Sequence, residues 1–251
     1  MHNNTTKRIY ENFHNPMSVA VFLSGTGTNF DAIYKEMLNY RSKGKESISI
    51  DIVFTNVPGC EGVLKAKERG LLTTAISSAS YFKYIEGNPG NNDLRAYYDA
   101  AVLSVMDEYC SPDIIVLAGY RRRLSGIFFE RFKNRIINMY PGDITKEYLT
   151  TGVPAYKQAL NANECDLRCS VYIQKEHERF GPLIARSQPV SLEGFQDYDK
   201  DHANKLIREN AEWKLLPYAI FELIAKGRVS IDDEDNVYID GENTYGQGFQ
   251  L

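Results

Sequence analysis

Val19-Ala20-Val21-Phe22-Leu23 runs straight into Ser24-Gly25-Thr26-Gly27-Thr28-Asn29. Five apolar residues in a row read as a strand buried on both faces, because a half-exposed strand would alternate. Past Asn29, the residues Phe30, Ile33, Met37 and Leu38 recur at helical spacing through Tyr40. The turn therefore joins a strand to a helix. Its glycines let a backbone approach a ligand closely, and the N–H groups of a helix N-terminus favour an anion. A phosphate is the natural guest; a plain tight turn capped by Thr28 or Asn29 is the alternative. The dinucleotide fingerprint is absent, since Phe30 stands where its third glycine belongs, and no Gly-Lys-Ser/Thr follows to make a P-loop.

Outward from this stretch, short apolar runs alternate with helical segments. Residues 48–54 and 72–76 read as strands with a helix over 64–70 between them, and 77–93 reads as a loop around Gly87-Asn88-Pro89-Gly90. A helix over 94–109 is stopped by Pro112. The run Ile114-Ile115-Val116-Leu117-Ala118 is the most hydrophobic strand, followed by a short helix over 124–132 and a strand over 135–138. This order predicts an α/β fold with a doubly wound, mostly parallel sheet. Ligands of such sheets bind beyond the carboxyl ends of the strands, which here are 24–29, 119–124 and 138–145. Further on come a helix over 154–160, strands over 170–173 and 183–185, a long helix over 201–226 and short strands over 229–231 and 237–239. Residues 1–16 are polar and aperiodic and are set apart as an extension, leaving 17–251 as one α/β domain.

Lysine and arginine number 29 against 33 acidic residues among 251, a net charge of −4. That balance argues against a general nucleic-acid or membrane-surface binder, which would carry a basic excess. No apolar run reaches the roughly 20 residues of a membrane span, and the polar start lacks a signal-peptide core. A cytoplasmic chain, monomeric or homodimeric, is the expectation. Cys60, Cys110, Cys165 and Cys169 and the four histidines do not fall at metal-binding spacings, so no metal is expected and the thiols are expected to be reduced.

Several further motifs stand in a fixed order. Pro112-Asp113 leads into Ile114–Leu117 and Ala118-Gly119-Tyr120, then come Ile136-Ile137-Asn138-Met139-Tyr140-Pro141, Ser170-Val171-Tyr172-Ile173 and Gly181-Pro182-Leu183-Ile184. Glu212 precedes Leu216-Pro217, and Gly246-Gln247-Gly248-Phe249 closes the tail. Together with the Ser24-Gly25-Thr26-Gly27-Thr28-Asn29 turn, these resemble the glycinamide ribonucleotide (phosphoribosylglycinamide) formyltransferases, across 17–251. The resemblance implies a Rossmann-like formyltransferase fold and a role in purine synthesis. It implies transfer of a formyl group from 10-formyltetrahydrofolate to the amine of a phosphorylated substrate. It also implies that Gly25, Gly27, Thr28 and Asn29 bind the phosphate, that Glu212 meets the ribose and that Arg95 lies near the folate tail. Asn138 keeps the family's catalytic asparagine.

Two catalytic positions differ. Tyr140 stands where the family has a histidine, and Arg179 where it has an aspartate. A phenol donates a hydrogen bond but does not act as a cation near neutrality. The exchange moves the pair's formal charge from near zero to about +1. Arg121-Arg122-Arg123 follows Gly119-Tyr120, where the family has one arginine flanked by apolar residues, and Gly142-Asp143-Ile144-Thr145 replaces its usual loop after the proline. Arginines converging on a cleft favour carboxylate or phosphate guests. Three readings follow from these departures: an active one-carbon transferase, a catalytically degenerate relative that binds a phosphorylated small molecule or nucleotide, and a structural partner that keeps only the fold.

Overall fold

The computed structural model describes residues 5–11, 16–195 and 200–251. A short β1 (Lys7–Arg8) precedes β2 (Met17–Leu23), α1 (Thr28–Ser42), β3 (Ile48–Thr55), α2 (Glu61–Glu68) and β4 (Thr73–Ala75). Then come α3 (Ser78–Tyr84), α4 (Asn92–Asp107), β5 (Ile114–Leu117), α5 (Gly126–Arg131) and β6 (Ile136–Tyr140). The chain folds as two compact units. The first comprises Asn12–Asn138 and Gln174–Arg179; the second comprises Met1–Glu11, Met139–Ile173 and Phe180–Leu251.

In the first unit the strands lie in the order β6-β5-β2-β3-β4, all parallel, as the unbroken apolar runs predict. Register pairs Leu23 with Thr55, Phe22 with Leu117, and Leu117 with Asn138, so these strands finish along one carboxyl edge. Phe22 anchors the core beneath that edge. Its ring lies 4.8 Å from Phe54, 5.4 Å from Tyr120 and 5.8 Å from Phe128. Burial of one such side chain contributes about 1.5–3 kcal/mol.

The expected loop over 77–93 is corrected in part. Ser77 accepts a hydrogen bond from the Ser80 N–H and starts α3, and buried Phe82 anchors this helix by packing on Tyr81 and Tyr98. Tertiary burial outweighs the weak local pattern there. The true turn is confined to the segment around Gly90, and Asn91 caps α4 by accepting from the N–H groups of Asp93 and Leu94.

The second unit holds α6 (Ala155–Asn161), β7 (Asp166–Leu167), β8 (Ser170–Ile173), β9 (Leu183–Arg186) and β10 (Val190–Ser191). It also holds α7 (Lys200–Ile207), α8 (Trp213–Tyr218), β11 (Val229–Ile231), β12 (Val237–Ile239), β13 (Glu242–Asn243) and β14 (Phe249–Gln250). β8 and β9 are antiparallel, with β14 parallel to β9. The long helix predicted over 201–226 is present, but π-helical turns at Arg208–Glu212 and Ala219–Ile224 interrupt it. Pro217, inside α8, has no N–H to donate, which favours such a change of register.

Part of the 1–16 segment is folded. β1 pairs antiparallel with β11, and Ile9 and Tyr10 are buried, so a polar composition concealed an edge strand. Residues 1–4 and 12–15 of that segment lie outside the described residues.

Candidate active site

The turn after β2 has the geometry its glycines predict. Gly27 caps α1 with φ 71° and ψ 23°, in the left-handed region, and its carbonyl accepts from the Asp31 N–H at 2.8 Å. A Cβ on Gly27 would stand 2.6 Å from the Gly62 Cα, so no side chain fits. The cap is Gly27 and not Thr28 or Asn29, so no side chain caps the helix. The Ser24 hydroxyl donates to Asn56 Oδ1 at 2.6 Å and accepts from the Arg121 N–H at 2.9 Å. The Arg121 guanidinium lies beside this turn, 3.9 Å from where a Cβ on Gly25 would be.

The three consecutive arginines do not share one role. Arg121 and Arg123 are exposed, while Arg122 turns inward with its guanidinium 4.7 Å from the Phe82 ring centre and 4.6 Å from that of Tyr98. Arg122 thus carries a cation–π contact on two rings. Arg95 bonds Asn92, and the Nε atoms of Arg95 and Arg122 are both buried without a hydrogen-bond partner. Below them Asp99 is fully buried, accepting from the Ser125 N–H at 2.6 Å; burial pushes its carboxyl up, against that hydrogen bond and the charges of Arg122 and Arg95. Desolvation also raises the Tyr98 and Tyr120 phenols.

Asn138 ends the β6 segment of the first unit, level with Leu117. Its Nδ2 donates to Gln174 Oε1 at 2.9 Å, while Gln174 Nε2 donates to the carbonyls of Lys175 at 2.9 Å and Glu178 at 3.3 Å. Sequence reasoning missed Gln174. The one signal is its position just past the strand Ser170–Ile173, from which its backbone N–H reaches the Ile136 carbonyl at 2.8 Å. Arg179 sits exposed in the same unit, at the end of Gln174–Arg179.

In the second unit, half-buried Tyr140 packs on Phe180 with ring centres 4.7 Å apart, and Phe180 meets Tyr172 edge-on at 5.6 Å. A Cβ on Gly142 would clash with the Tyr140 ring at 2.7 Å, so that glycine makes room for the phenol. The loop after it is held by an ion pair. Asp143 Oδ2 accepts from Arg186 at 2.9 Å with both side chains largely buried, and Asp143 Oδ1 accepts from the Thr145 N–H at 3.0 Å. Glu212 is buried at the end of the first π-helical turn, and its charge joins burial in holding the Cys169 thiol well above its ordinary range. The four cysteines are free thiols. Among the described residues no cluster of His, Cys, Asp or Glu is suited to a metal ion, and no helix is long and apolar enough to cross a membrane.

A parallel sheet with a glycine-built turn after β2 and an asparagine in β6, level with the end of β5, agrees with a formyl transferase frame. The family of that description matches residues 17–220, and the chain belongs to it. Within that family it is similar to the phosphoribosylglycinamide formyltransferases. It is 26% identical to the Escherichia coli (strain K12) phosphoribosylglycinamide formyltransferase over 93% of this chain and 98% of that protein. It is 29% identical to the trifunctional purine biosynthetic protein adenosine-3 of Gallus gallus over 89% of this chain, although it spans only 20% of that longer relative. Among solved structures, the Coxiella burnetii phosphoribosylglycinamide formyltransferase, determined with CHES, matches with a TM-score of 0.75 at 25% identity, covering 94% of this chain and 100% of that one.

Proposed function

We propose that this chain transfers the formyl group of 10-formyltetrahydrofolate to the amine of a phosphorylated substrate of the phosphoribosylglycinamide kind. The observation that carries the reading is Asn138, in β6 level with the end of β5, with its amide oriented by Gln174. The folate would supply an activated formyl group: a C–N bond forms from the substrate amine to its carbon, the C–N bond to the folate nitrogen breaks, and the proton the amine loses passes to that nitrogen. Asn138 Nδ2 donates to the formyl oxygen, where negative charge develops. Tyr140 adds a neutral donor, and Arg179 supplies the positive charge that a histidine–aspartate pair would otherwise create. Gly25, Gly27, Thr28 and Asn29 hold the phosphate through the turn and the start of α1, and Glu212 accepts from ribose hydroxyls. Arg95, Arg121, Arg122 and Arg123 offer cations to the carboxylates of the folate tail. The buried, unpartnered Nε atoms of Arg95 and Arg122 fit an anionic guest near that cluster. The protein works without a metal, as a monomer or homodimer in the cytoplasm.

The test is formyl transfer by the purified protein, with glycinamide ribonucleotide and 10-formyltetrahydrofolate both saturating. Transfer well below the typical enzyme turnover of about 10 per second is expected, falling about a hundredfold further in Asn138→Ala. Tight binding of both substrates with no transfer at all would sink this reading in favour of a binding protein.

A further inference from the structure

One face of α2 is built against the phosphate turn. Gly62 and Lys65, with Arg69 at the C-cap, recur at i, i+3 and i+7, so they line up along one side of the helix. The Gly62 N–H donates to the Gly25 carbonyl at 2.9 Å, and its missing side chain lets the two backbones touch. Lys65 Nζ donates to the Thr26 carbonyl at 3.0 Å. Arg69 reaches Asp31 of α1 at 2.7 Å and lies over the rings of Phe30 and Tyr34.

The direction of these bonds has a consequence for the turn. In a trans peptide the C=O and the following N–H point opposite ways. With the carbonyls of Gly25 and Thr26 fixed on α2, the N–H groups of Thr26 and Gly27 point away from it. The Lys65 ammonium has three protons and three acceptors: Thr26 O, Asp31 Oδ2 at 2.9 Å and Glu61 Oε1 at 2.9 Å. Two carboxylates thus answer its charge.

We propose that Lys65 is a positioning residue of the phosphate site. It holds the Thr26 carbonyl so that the turn presents its N–H groups to the phosphate, and it makes no contact with the phosphate itself. This rests on the reading of residues 25–29 as the phosphate site.

The experiment titrates wild type, Lys65→Met, Lys65→Arg, Asp31→Asn and Gly27→Val with glycinamide ribonucleotide by calorimetry, and checks each fold by thermal melting. Lys65→Met is expected to weaken binding about tenfold while leaving its salt dependence unchanged, because no cation is taken from the phosphate. In turnover, KM rises with little change in kcat. Lys65→Arg, which keeps a donor for Thr26, recovers most of the affinity. Asp31→Asn loosens Lys65 and also weakens binding. If Lys65 met the phosphate directly, Asp31→Asn would free its charge and tighten binding instead. Tighter binding in Asp31→Asn, or unchanged binding in a folded Lys65→Met, overturns the proposal even where wild type binds and Gly27→Val does not. Absence of binding by wild type overturns both the proposal and the phosphate reading beneath it.

Discussion

The turn after β2 and Asn138 in β6 stand at the carboxyl side of one parallel sheet, yet the proposed function draws on them in different ways. The turn keeps both glycines. In the proposed function β6 supplies Asn138, with Tyr140 at the position where the resemblance implies a histidine and Arg179 where it implies an aspartate. The two regions are made of different material. The turn is a backbone device, specified by the absence of a side chain at Gly27 and Gly62 and by carbonyls fixed on α2. In the proposed function the strand instead contributes side chains, Asn138 and Tyr140. A side chain at Gly27 meets the Gly62 backbone, so the turn is sterically locked.

The largest effect that would break this contrast is at Gly27. Valine there combines a β-branched side chain with φ 71° and a Cβ 2.6 Å from the Gly62 Cα. Gly27→Val is expected to lower affinity for glycinamide ribonucleotide more than a hundredfold, a loss above ~2.7 kcal/mol. Calorimetry checks it, and a folded variant with wild-type affinity would show that the turn is no phosphate device.

Next in size is the reverse exchange at the side-chain region. Under the proposed function, Tyr140→His with Arg179→Asp supplies the histidine and aspartate that the resemblance implies, and a proton-transferring group usually contributes at least about a hundredfold in rate. A rise of that order in kcat, with KM for the phosphorylated substrate little changed, sharpens the division of labour. An unchanged kcat would place the limiting difference elsewhere.

The smallest effect concerns Asp99, the buried acid under Arg122. Burial raises its pKa in the folded state, so the native protein holds the proton to higher pH than the unfolded chain. Stability from this group is therefore full at low pH and falls as pH rises above the unfolded value of about 3.9. An amide in its place does not titrate. The melting temperature of Asp99→Asn relative to wild type is expected to increase between pH 4 and 7, and a flat difference would show that the carboxyl is not held against its charge.

Much of the fold was legible because the central strands are apolar runs and the later ones short β-branched or aromatic stretches. The segments 170–173, 229–231 and 237–239 were read with the bounds observed. α3 was not legible, since a polar, glycine-bounded stretch hides the single buried Phe82 that anchors it. Nor could the sequence tell which member of Arg121-Arg122-Arg123 turns inward, because the rings that receive Arg122 lie at Phe82 and Tyr98, far away in the chain. Glycine turns and strand ends are local signals. The partners that orient them, Gln174 for Asn138 and Lys65 for Thr26, sit 36 and 39 residues away.

The bond from Asn138 to Gln174 fixes more than a distance. Backbone carbonyls only accept, so the two that receive Gln174 Nε2 force its oxygen toward Asn138. Asn138 must then turn its NH2 group to that oxygen, which settles which end of the amide is which. The relay has a one-way polarity anchored in main chain, and none of its three links titrates. The sign of the dipole that Asn138 presents is consequently the same in acid and in base, whatever ionises around it.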